Sequence, residues 1–377
     1  MTFFGSTQRT LLTILGSPEL LLLAILSVIF YAFYYPAPYQ QQTSQDLGLV
    51  VVDADRSPLS RELVRRLGDT RAVWVVGETE NLALARELLL ERKADGVLYF
   101  APHLGDQLLQ GRGGAGIAVW LNGSYLVRAE AIGSTLADVA ADTAEDMAEK
   151  AIPSQAHVRG PEVLVQPMFT LGGYRDYVFP AVANIILQQT LLAAAARLLA
   201  DRRQRGWLKA RRAEALGILA AYATVGSLAA GFYFGFVYWV QDVPRAGNMP
   251  GLLIAMPLFA LAVSALGLFA GTFFRTGDNA LKVIFPTSLP LLFLAGFAWP
   301  LEQMPEWLSK IAWLSPATPA MHLFIRFNQM GASIGEALGP LLCMAGLAVL
   351  YTAGFLFRIE QLNRRAATRA LPATASD

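Results

Sequence analysis

The sequence has few of the residues that build disulfides, metal centres and nucleotide sites. It contains one cysteine, Cys343, and three histidines in 377 residues. One cysteine cannot form an intrachain disulfide or a cysteine metal cluster, and His103 and His157 have no cysteine or histidine at metal-ligand spacing. The phosphate loop GxxxxGKS/T is absent, so the chain does not hold ATP by that device. We therefore expect no metal, no cofactor and no catalytic site on this chain.

Charged residues are scarce as well. Asp, Glu, Lys and Arg together make up 16% of the chain, hydrophobic residues make up 54%, and the mean hydropathy is +0.42. This composition is too apolar for an ordinary soluble protein and predicts an integral membrane protein. A net charge of +1 argues against nucleic acid as a partner. The first apolar run is not followed by a small-residue cleavage site, and we interpret it as a retained anchor.

The amino-terminal residues predict two helices in succession. Residues 1–16 place their large apolar side chains on one face, as in an amphipathic helix at the cytoplasmic surface of a membrane. Gly16 ends this helix, and Ser17-Pro18-Glu19 supplies the cap and first turn of the next. The second helix, residues 17–36, is expected to cross the bilayer. The apolar face of the first helix consists of Phe3, Phe4, Leu11, Ile14 and Leu15.

Residues 40–167 have the composition of a soluble domain of ordinary size. Apolar runs alternate with helical patterns, which favours a mostly parallel sheet covered by helices. The predicted strands are Leu47–Asp53, Ala72–Gly77, Gly96–Phe100 and Ile117–Asn122, and the predicted helices are Pro58–Leu67, Asn81–Lys93 and Tyr125–Lys150. The sequence thus predicts an α/β domain inserted between the first and second transmembrane helices.

Asp53, Asp55 and Ser57 follow the first predicted strand, and two interpretations of them are open. Carboxylates at the carboxyl end of a strand are typical of ligand sites in α/β folds. Asp and Ser are equally typical of a turn that leads into a helix cap. The glycine-rich stretch 111–116 matches no dinucleotide or phosphate fingerprint. The turn is therefore the preferred interpretation.

Residues 175–377 return to membrane composition and complete an α-helical integral membrane protein with six transmembrane helices. The second to sixth spans are predicted at Tyr177–Leu199, Ala213–Val240, Pro250–Phe274, Val283–Leu301 and Leu338–Phe357. Loop lysines and arginines concentrate on one side, above all in loop 201–212, which has the sequence DRRQRGWLKARR. The positive-inside rule then places both termini, this loop and the carboxyl-terminal tail in the cytoplasm, and the α/β domain outside.

Residues 302–326, between the fifth and sixth spans, predict a broken, half-inserted external hairpin. Charged residues and prolines interrupt this apolar stretch every few residues, so it cannot be another buried span. Tryptophans are common at the headgroup level of a membrane, where the indole N–H stays hydrated. The tryptophans that fit this level are Trp299, Trp307 and Trp313.

Three amide side chains, Asn184, Gln188 and Gln189, lie within the second predicted span. Such groups seldom face lipid. They are interpreted either as hydrogen-bonding groups between helices or as a wall of the substrate pathway. The spans contain no Asp, Glu or Lys relay at their centres, which weakens the case for a proton-coupled transporter. The pairs Gly231-xxx-Gly235 and Gly267-xxx-Gly271 predict close helix packing.

One long stretch, Leu294–Ser333, resembles a known family. It has the sequence LAGFAWPLEQMPEWLSKIAWLSPATPAMHLFIRFNQMGAS, and Val51–Leu67, VVDADRSPLSRELVRRL, is a second match. Both resemble permease subunits of type-2 ATP-binding-cassette exporters, in the branch with a large extracytoplasmic domain, and the resemblance covers the whole chain. It implies external re-entrant helices and a cytoplasmic coupling helix at Asp201–Arg212. This loop is almost wholly basic, whereas relatives commonly have an acidic pattern with Gly and Thr.

The resemblance also implies partners and a location. We expect a separate ABC ATPase subunit that uses ATP, a second permease subunit, a periplasmic adaptor and membrane lipid as partners, in a bacterial inner membrane. An apolar pair in a basic loop is typical of an anchor that fills a groove on a partner. The residues expected to couple the ATPase are Phe4, Leu11, Arg205, Trp207 and Leu208.

Two other function classes remain open. One is a membrane-anchored sensor or scaffold whose α/β domain binds a partner, and the other is a secondary transporter without an ATPase. A copurifying ATPase would favour the exporter, whereas ligand binding by the isolated α/β domain would favour the sensor.

Overall fold

The computed structural model describes residues 2–37, 47–70, 72–91, 93–104, 117–121, 132–143, 174–206, 211–243, 245, 247–296 and 299–370. The chain forms two compact units. The smaller unit is Gln41–Gln166, and the larger consists of Met1–Gln40 together with Pro167–Asp377.

The smaller unit contains a four-stranded sheet in the order β2-β1-β3-β4. Strands β1, β2 and β3 are parallel, with Leu47 opposite Val73 and Leu49 opposite Gly96, and β4 runs antiparallel to β3. This is the mostly parallel arrangement that the alternating pattern predicted. The strands are β1 (Leu47–Asp53), β2 (Val73–Thr79), β3 (Gly96–Phe100) and β4 (Ile117–Leu121).

Helices cover both faces of this sheet. Leu49 and Val51 of β1 pack with helix α3 (Pro58–Gly68) and with α5 (132–143). Val50 and Val52 point the other way, towards α4 (Leu82–Leu90). Both faces of β1 are buried, which explains its continuous run of apolar residues. The middle of the predicted helix Tyr125–Lys150 corresponds to α5. The two ends of the predicted helix lie outside the described residues.

The turn after β1 settles the two interpretations of its polar residues. The Asp53 carboxylate accepts hydrogen bonds from the backbone of Asp55 and Arg56, at 3.0 and 2.9 Å, and from the Ser60 hydroxyl at 2.7 Å. The Ser57 hydroxyl accepts from the Ser60 N–H at 3.1 Å and caps α3. These bonds build a turn and a helix cap, as preferred from the sequence.

The larger unit is helical. Within the described residues, four helices are long and apolar enough to cross a membrane, and a pair bent by 90° becomes a fifth candidate if it counts as one span. The bent pair is α1 (Phe3–Gly16) with α2 (Pro18–Tyr34). The four helices are α6 (Tyr174–Gln204), α7 (Arg212–Val240), α8 (Met249–Gly271) and α13 (Leu338–Ala370).

Helix α6 lies at the centre of this unit, and 94% of its most apolar stretch is buried. Helix α8 packs directly on it, because a Cβ atom at Gly267 or Gly271 would lie 2.8 Å from a backbone oxygen of α6. The second glycine pair is therefore a close-packing site, as predicted. Gly231 and Gly235 have nothing within 4 Å of such a Cβ, so the first pair makes no close contact in the described part of the chain.

The segment predicted as the fifth span has other bounds than expected. Helix α9 (Gly277–Ile284) continues through a 3-10 turn, Phe285–Thr287, into α10 (Ser288–Leu294). The helical run begins earlier than Val283 because the Thr276 hydroxyl caps α9 by accepting from the Asn279 N–H at 3.3 Å. It ends before Leu301 because Gly296 adopts a φ of +85°, which leaves the helical region.

The segment predicted as a broken hairpin, residues 302–326, is divided into short helices. A 3-10 turn, Leu301–Gln303, is followed by α11 (Glu306–Ala312) and α12 (Ala317–Phe324). We call α11, α12 and the turn between them the hairpin. Trp313, at the end of α11, stacks on His322 of α12 with 5.3 Å between the ring centres.

The amino-terminal helix α1 buries Ile14 of the predicted apolar face and leaves Phe3, Phe4 and Leu15 of that face exposed. Its buried stripe is Ser6, Thr10 and Ile14, whereas Phe4 is 81% exposed. The prediction that Ile14 belongs to the outer apolar face was wrong. The stripe packs on α7, where a Cβ at Gly217 would lie 2.6 Å from the Phe3 carbonyl oxygen.

Candidate functional site

Gln188 of α6 holds the hairpin. Its carboxamide oxygen accepts the Ala317 N–H at 2.7 Å, and its nitrogen donates to the Ser315 hydroxyl at 3.1 Å. Gln188 is fully buried. Because Ala317 is the first residue of α12, this side chain satisfies one of the N–H groups that a helix start leaves unpaired. One glutamine thus fixes where α12 begins relative to α6.

Gln189, the next residue, contacts a different element. Its side-chain nitrogen donates to the hydroxyls of Thr287 and Ser288, at 3.1 and 3.0 Å, where α9 gives way to α10. Asn184 lies one turn earlier and donates to the Pro180 carbonyl at 2.8 Å. The bonds of Gln188 and Gln189 run between helices, as one of the two interpretations expects, whereas the bond of Asn184 stays within α6. The oxygens of Asn184 and Gln189 are buried and have no hydrogen-bond partner among the described residues.

The far end of α6 carries a charged cluster that the sequence analysis did not single out. The Arg197 guanidinium is 13% exposed and forms ion pairs with three carboxylates. Its partners are Glu19 of α2, Asp201 of α6 at 3.7 Å and Asp278 of α9 at 3.0 Å. We call these four residues the Arg197 cluster. A buried arginine is expensive unless it is paired and hydrogen-bonded, so the site requires these partners.

The last turn of α6 also holds the turn between α8 and α9. The Asp201 carboxylate accepts the Gly277 N–H at 2.8 Å, at the start of α9. Arg203 donates to the carbonyls of Thr272 and Phe274, at 2.6 and 3.1 Å, at the end of α8. An acid at a helix start and a cation at a helix end both suit the helix dipole. Two side chains of α6 therefore cap two neighbouring helices.

Three of the predicted ATPase-contact residues, Phe4, Leu11 and Arg205, lie in the described part of the chain. The Ser6 hydroxyl donates to the Glu214 carbonyl at 2.8 Å and Arg202 donates to the Thr10 hydroxyl at 3.3 Å, so α1 is bound to α6 and α7. Phe4 is exposed, Leu11 is half-buried and Arg205 is exposed. Trp207 and Leu208 lie outside the described residues. We call the end of α6, together with α1 and the start of α7, the basic end.

Metal binding was not expected from the sequence. Among the residues that the structure describes, no group of three or more His, Cys, Asp or Glu side chains could hold a metal ion. Cys343 is half-buried, with its sulfur 3.9 Å from the Trp313 carbonyl oxygen.

The chain is similar to known membrane proteins. The model of the ABC-2 family transporter protein matches residues 11–357. The linearmycin resistance permease protein LnrN of Bacillus subtilis is 24% identical over 336 residues, which are 81% of this chain and 86% of LnrN. The probable multidrug ABC transporter permease YbhR of Escherichia coli is 28% identical over 78 residues, so the match spans about a fifth of either chain, 21%. The inner membrane transport permease YhhJ of Escherichia coli is 28% identical over 126 residues, 33% of this chain and 32% of YhhJ.

Proposed function

Because the chain belongs to the ABC-2 family of transporter proteins, we propose that it is the membrane-spanning permease of an exporter driven by a separate ABC ATPase. The match over residues 11–357 carries this proposal, since it overlaps every candidate span found in the described residues. The sequence has no phosphate loop, so the ATPase is assigned to another polypeptide. ATP hydrolysis by a copurified complex, absent from the permease alone, tests this assignment.

We further propose a six-span arrangement in a bacterial inner membrane. The spans are α2, α6, α7, α8, the run α9–α10 and α13, with both termini and the basic end in the cytoplasm. The arginines at the basic end support this orientation under the positive-inside rule. It places the hairpin and the α/β unit outside. Single cysteines at Arg65 and Glu360 on a Cys343→Ser background test it: an impermeant maleimide should label position 65 in intact spheroplasts and position 360 only after lysis.

The ATPase-contact face is proposed to consist of Phe4, Leu11, Arg205, Trp207 and Leu208. The exposure of Phe4 and Arg205 beside a rigidly held α1 supports it. The Trp207→Ala variant should insert normally and lose most substrate-stimulated ATP hydrolysis. Trp239→Ala is the matched control, since Trp239 is 61% exposed on α7 outside this face. If Trp207→Ala forms the complex and hydrolyses ATP as the wild type does, the ATPase contact lies elsewhere.

The pathway is proposed to pass beside Asn184, Gln188 and Gln189. The unpaired oxygens of Asn184 and Gln189 support this, because a donor group on a passing molecule would satisfy them. The printed names of YbhR and LnrN concern multidrug transport and linearmycin resistance, so we propose a drug-like small molecule as the substrate. Dye efflux from cells, with ethidium as the probe, should fall in Gln189→Leu and remain normal in the control Val349→Ala on the outer face of α13.

Two protein partners complete the proposal. A second permease subunit is expected, because one chain supplies half of a pathway. The mass of the complex in nanodiscs should correspond to two permeases and two ATPases. A periplasmic adaptor is proposed to dock on the α/β unit. Replacement of residues 42–167 by a short linker should then spare ATPase assembly and abolish export, and unchanged export would exclude the adaptor role.

A further inference from the structure

The Arg197 cluster joins three elements that are distant in sequence. Glu19 begins α2, Arg197 and Asp201 lie near the end of α6, and Asp278 lies in the first turn of α9. One cation faces three anions, so the carboxylates would repel one another without it. The Arg197 guanidinium attracts all three carboxylates and offsets their mutual repulsion. Its loss would weaken the contacts of α2 and α9 with α6.

The contact between α6 and α9 is tight at this point. A Cβ at Gly277 would lie 2.5 Å from the Asp201 carboxylate and 2.6 Å from the Arg197 side chain. The backbone of α9 therefore rests directly on the two α6 side chains, and Asp201 also accepts its first N–H. A displacement of this part of α6 displaces the start of α9 with it, because packed groups at van der Waals contact leave no free travel.

The run α9–α10 is bound to α6 a second time, nearer the hairpin. Gln189 donates to Thr287 and Ser288 at the break between the two helices. Leu291 and Leu292 of α10 pack in the same apolar cluster as Ala317 and Met321 of the hairpin. A continuous set of contacts thus leads from the Arg197 cluster along α9–α10 to the hairpin. Loop 201–212, the proposed site of ATPase contact, begins within the cluster at Asp201.

We propose that Arg197 is the positioning residue that transmits ATPase movement from the basic end through α9–α10 to the hairpin. This inference rests on the proposed function, and it assigns to that function a residue that touches neither ATP nor substrate. Coupling of this kind requires an element with two arrangements that both sites bias. The α9–α10 run fits this requirement, because its proline-containing 3-10 break allows its halves to tilt.

The test follows hairpin movement directly and needs no known substrate. Spin labels at Leu350 of α13 and Trp307 of α11, which are 54% and 64% exposed, report their distance in the full complex in nanodiscs on a Cys343→Ser background. ATP with vanadate should shift this distance in the otherwise wild-type complex. The double variant Arg197→Gln/Asp278→Asn should lose the shift, while its basal ATP hydrolysis falls less than twofold.

The double variant separates coupling from mere stability. It removes one carboxylate together with the arginine, so less repulsion remains than in Arg197→Gln alone. Arg65→Gln is the matched control, because Arg65 pairs with Glu62 and Asp69 but is 61% exposed in the α/β unit. It should keep the full shift. A full shift in Arg197→Gln/Asp278→Asn would overturn the inference and leave the proposed function intact. If the wild-type complex does not hydrolyse ATP, the proposed function itself is overturned.

Discussion

Helices α6 and α13 have comparable lengths but opposite surroundings. In their most apolar stretches, α6 is 94% buried and α13 only 22% buried. The polar residues of the buried helix include Asn184, Gln188, Gln189 and Arg197, whereas the exposed side chains of α13 include Leu342, Val349 and Phe357. A water-soluble protein has the reverse distribution. The difference indicates that the solvent around α13 is apolar, so polar groups find partners only inside the bundle.

The surroundings of α6 and α13 differ most in how closely glycines are packed against them. Substitution of such a glycine is expected to have the largest effect on the stability of the protein. In Gly267→Ala the new methyl group would meet the α6 backbone at Leu192, 2.8 Å from its oxygen and 3.0 Å from its Cα. Backbone cannot move aside as a side chain can, so the folded state should lose about 1–3 kcal/mol. Gly346→Ala on α13 is the control, since nothing lies within 4 Å of its Cβ. SDS titration in bicelles measures the free energy of unfolding of both variants. Equal losses in Gly267→Ala and Gly346→Ala would contradict the proposed difference in packing between α6 and α13.

A smaller effect should separate the two neighbouring glutamines of α6. Gln188→Met leaves the buried Ala317 N–H without its acceptor, which should lower the free energy of unfolding by about 1–3 kcal/mol. Gln189→Met costs less, because Thr287 and Ser288 keep their own hydrogen bonds to the Ile284 and Phe285 carbonyls, at 2.6 and 2.7 Å. The same SDS titration compares the free energy of unfolding of Gln188→Met with that of Gln189→Met. A larger loss for Gln189→Met would mean that its hydroxyl partners, and not the hairpin, are the critical contact.

The smallest effect concerns the entry to α13 and depends on pH. The Ser333 N–H and hydroxyl donate to Glu336 at 2.7 and 2.8 Å and hold the pKa of this carboxyl below its ordinary value. A lowered folded-state pKa stabilises the fold above the ordinary value of 4.5, and the contribution disappears as the pH falls through the lowered pKa. Glu336→Gln should therefore be slightly less stable than wild type at pH 7 and equal to it at acidic pH. Thermal unfolding at both pH values is the measurement, and a difference that persists in acid would assign another role to Glu336.

Local patterns in the sequence predicted much of the fold. Strands β1 and β3 lie at the predicted residues, because strands buried on both faces are unbroken apolar runs. The start of α9 was missed, because its first turn, with Asp278, is polar and does not raise the local hydropathy. The buried stripe of α1 was missed for a related reason. Its polar members, Ser6 and Thr10, carry no apolar signal, and their partners lie on α6 and α7.

Long-range pairing accounts for what was missed at the sites. Gln188 and Gln189 were identified because amides are rare within spans, but their partners Ser315 and Thr287 could not be assigned from the sequence. The signal for Arg197 was an arginine four residues before Asp201 at the end of an apolar run. Its ion pairs join residues 178 and 81 positions away, to Glu19 and Asp278. No local periodicity encodes contacts of that separation.

The docking of α1 on α7 also sets an order of events during synthesis. The Ser6 hydroxyl donates to the carbonyl of Glu214, which lies 208 residues further along the chain. At usual translation speeds this acceptor emerges about 10–40 s after the helix. Throughout that interval α1 lacks its contact with α7, and its exposed apolar side chains favour the membrane surface. The inner side of α1 therefore cannot dock on α7 until the start of that helix has been synthesised.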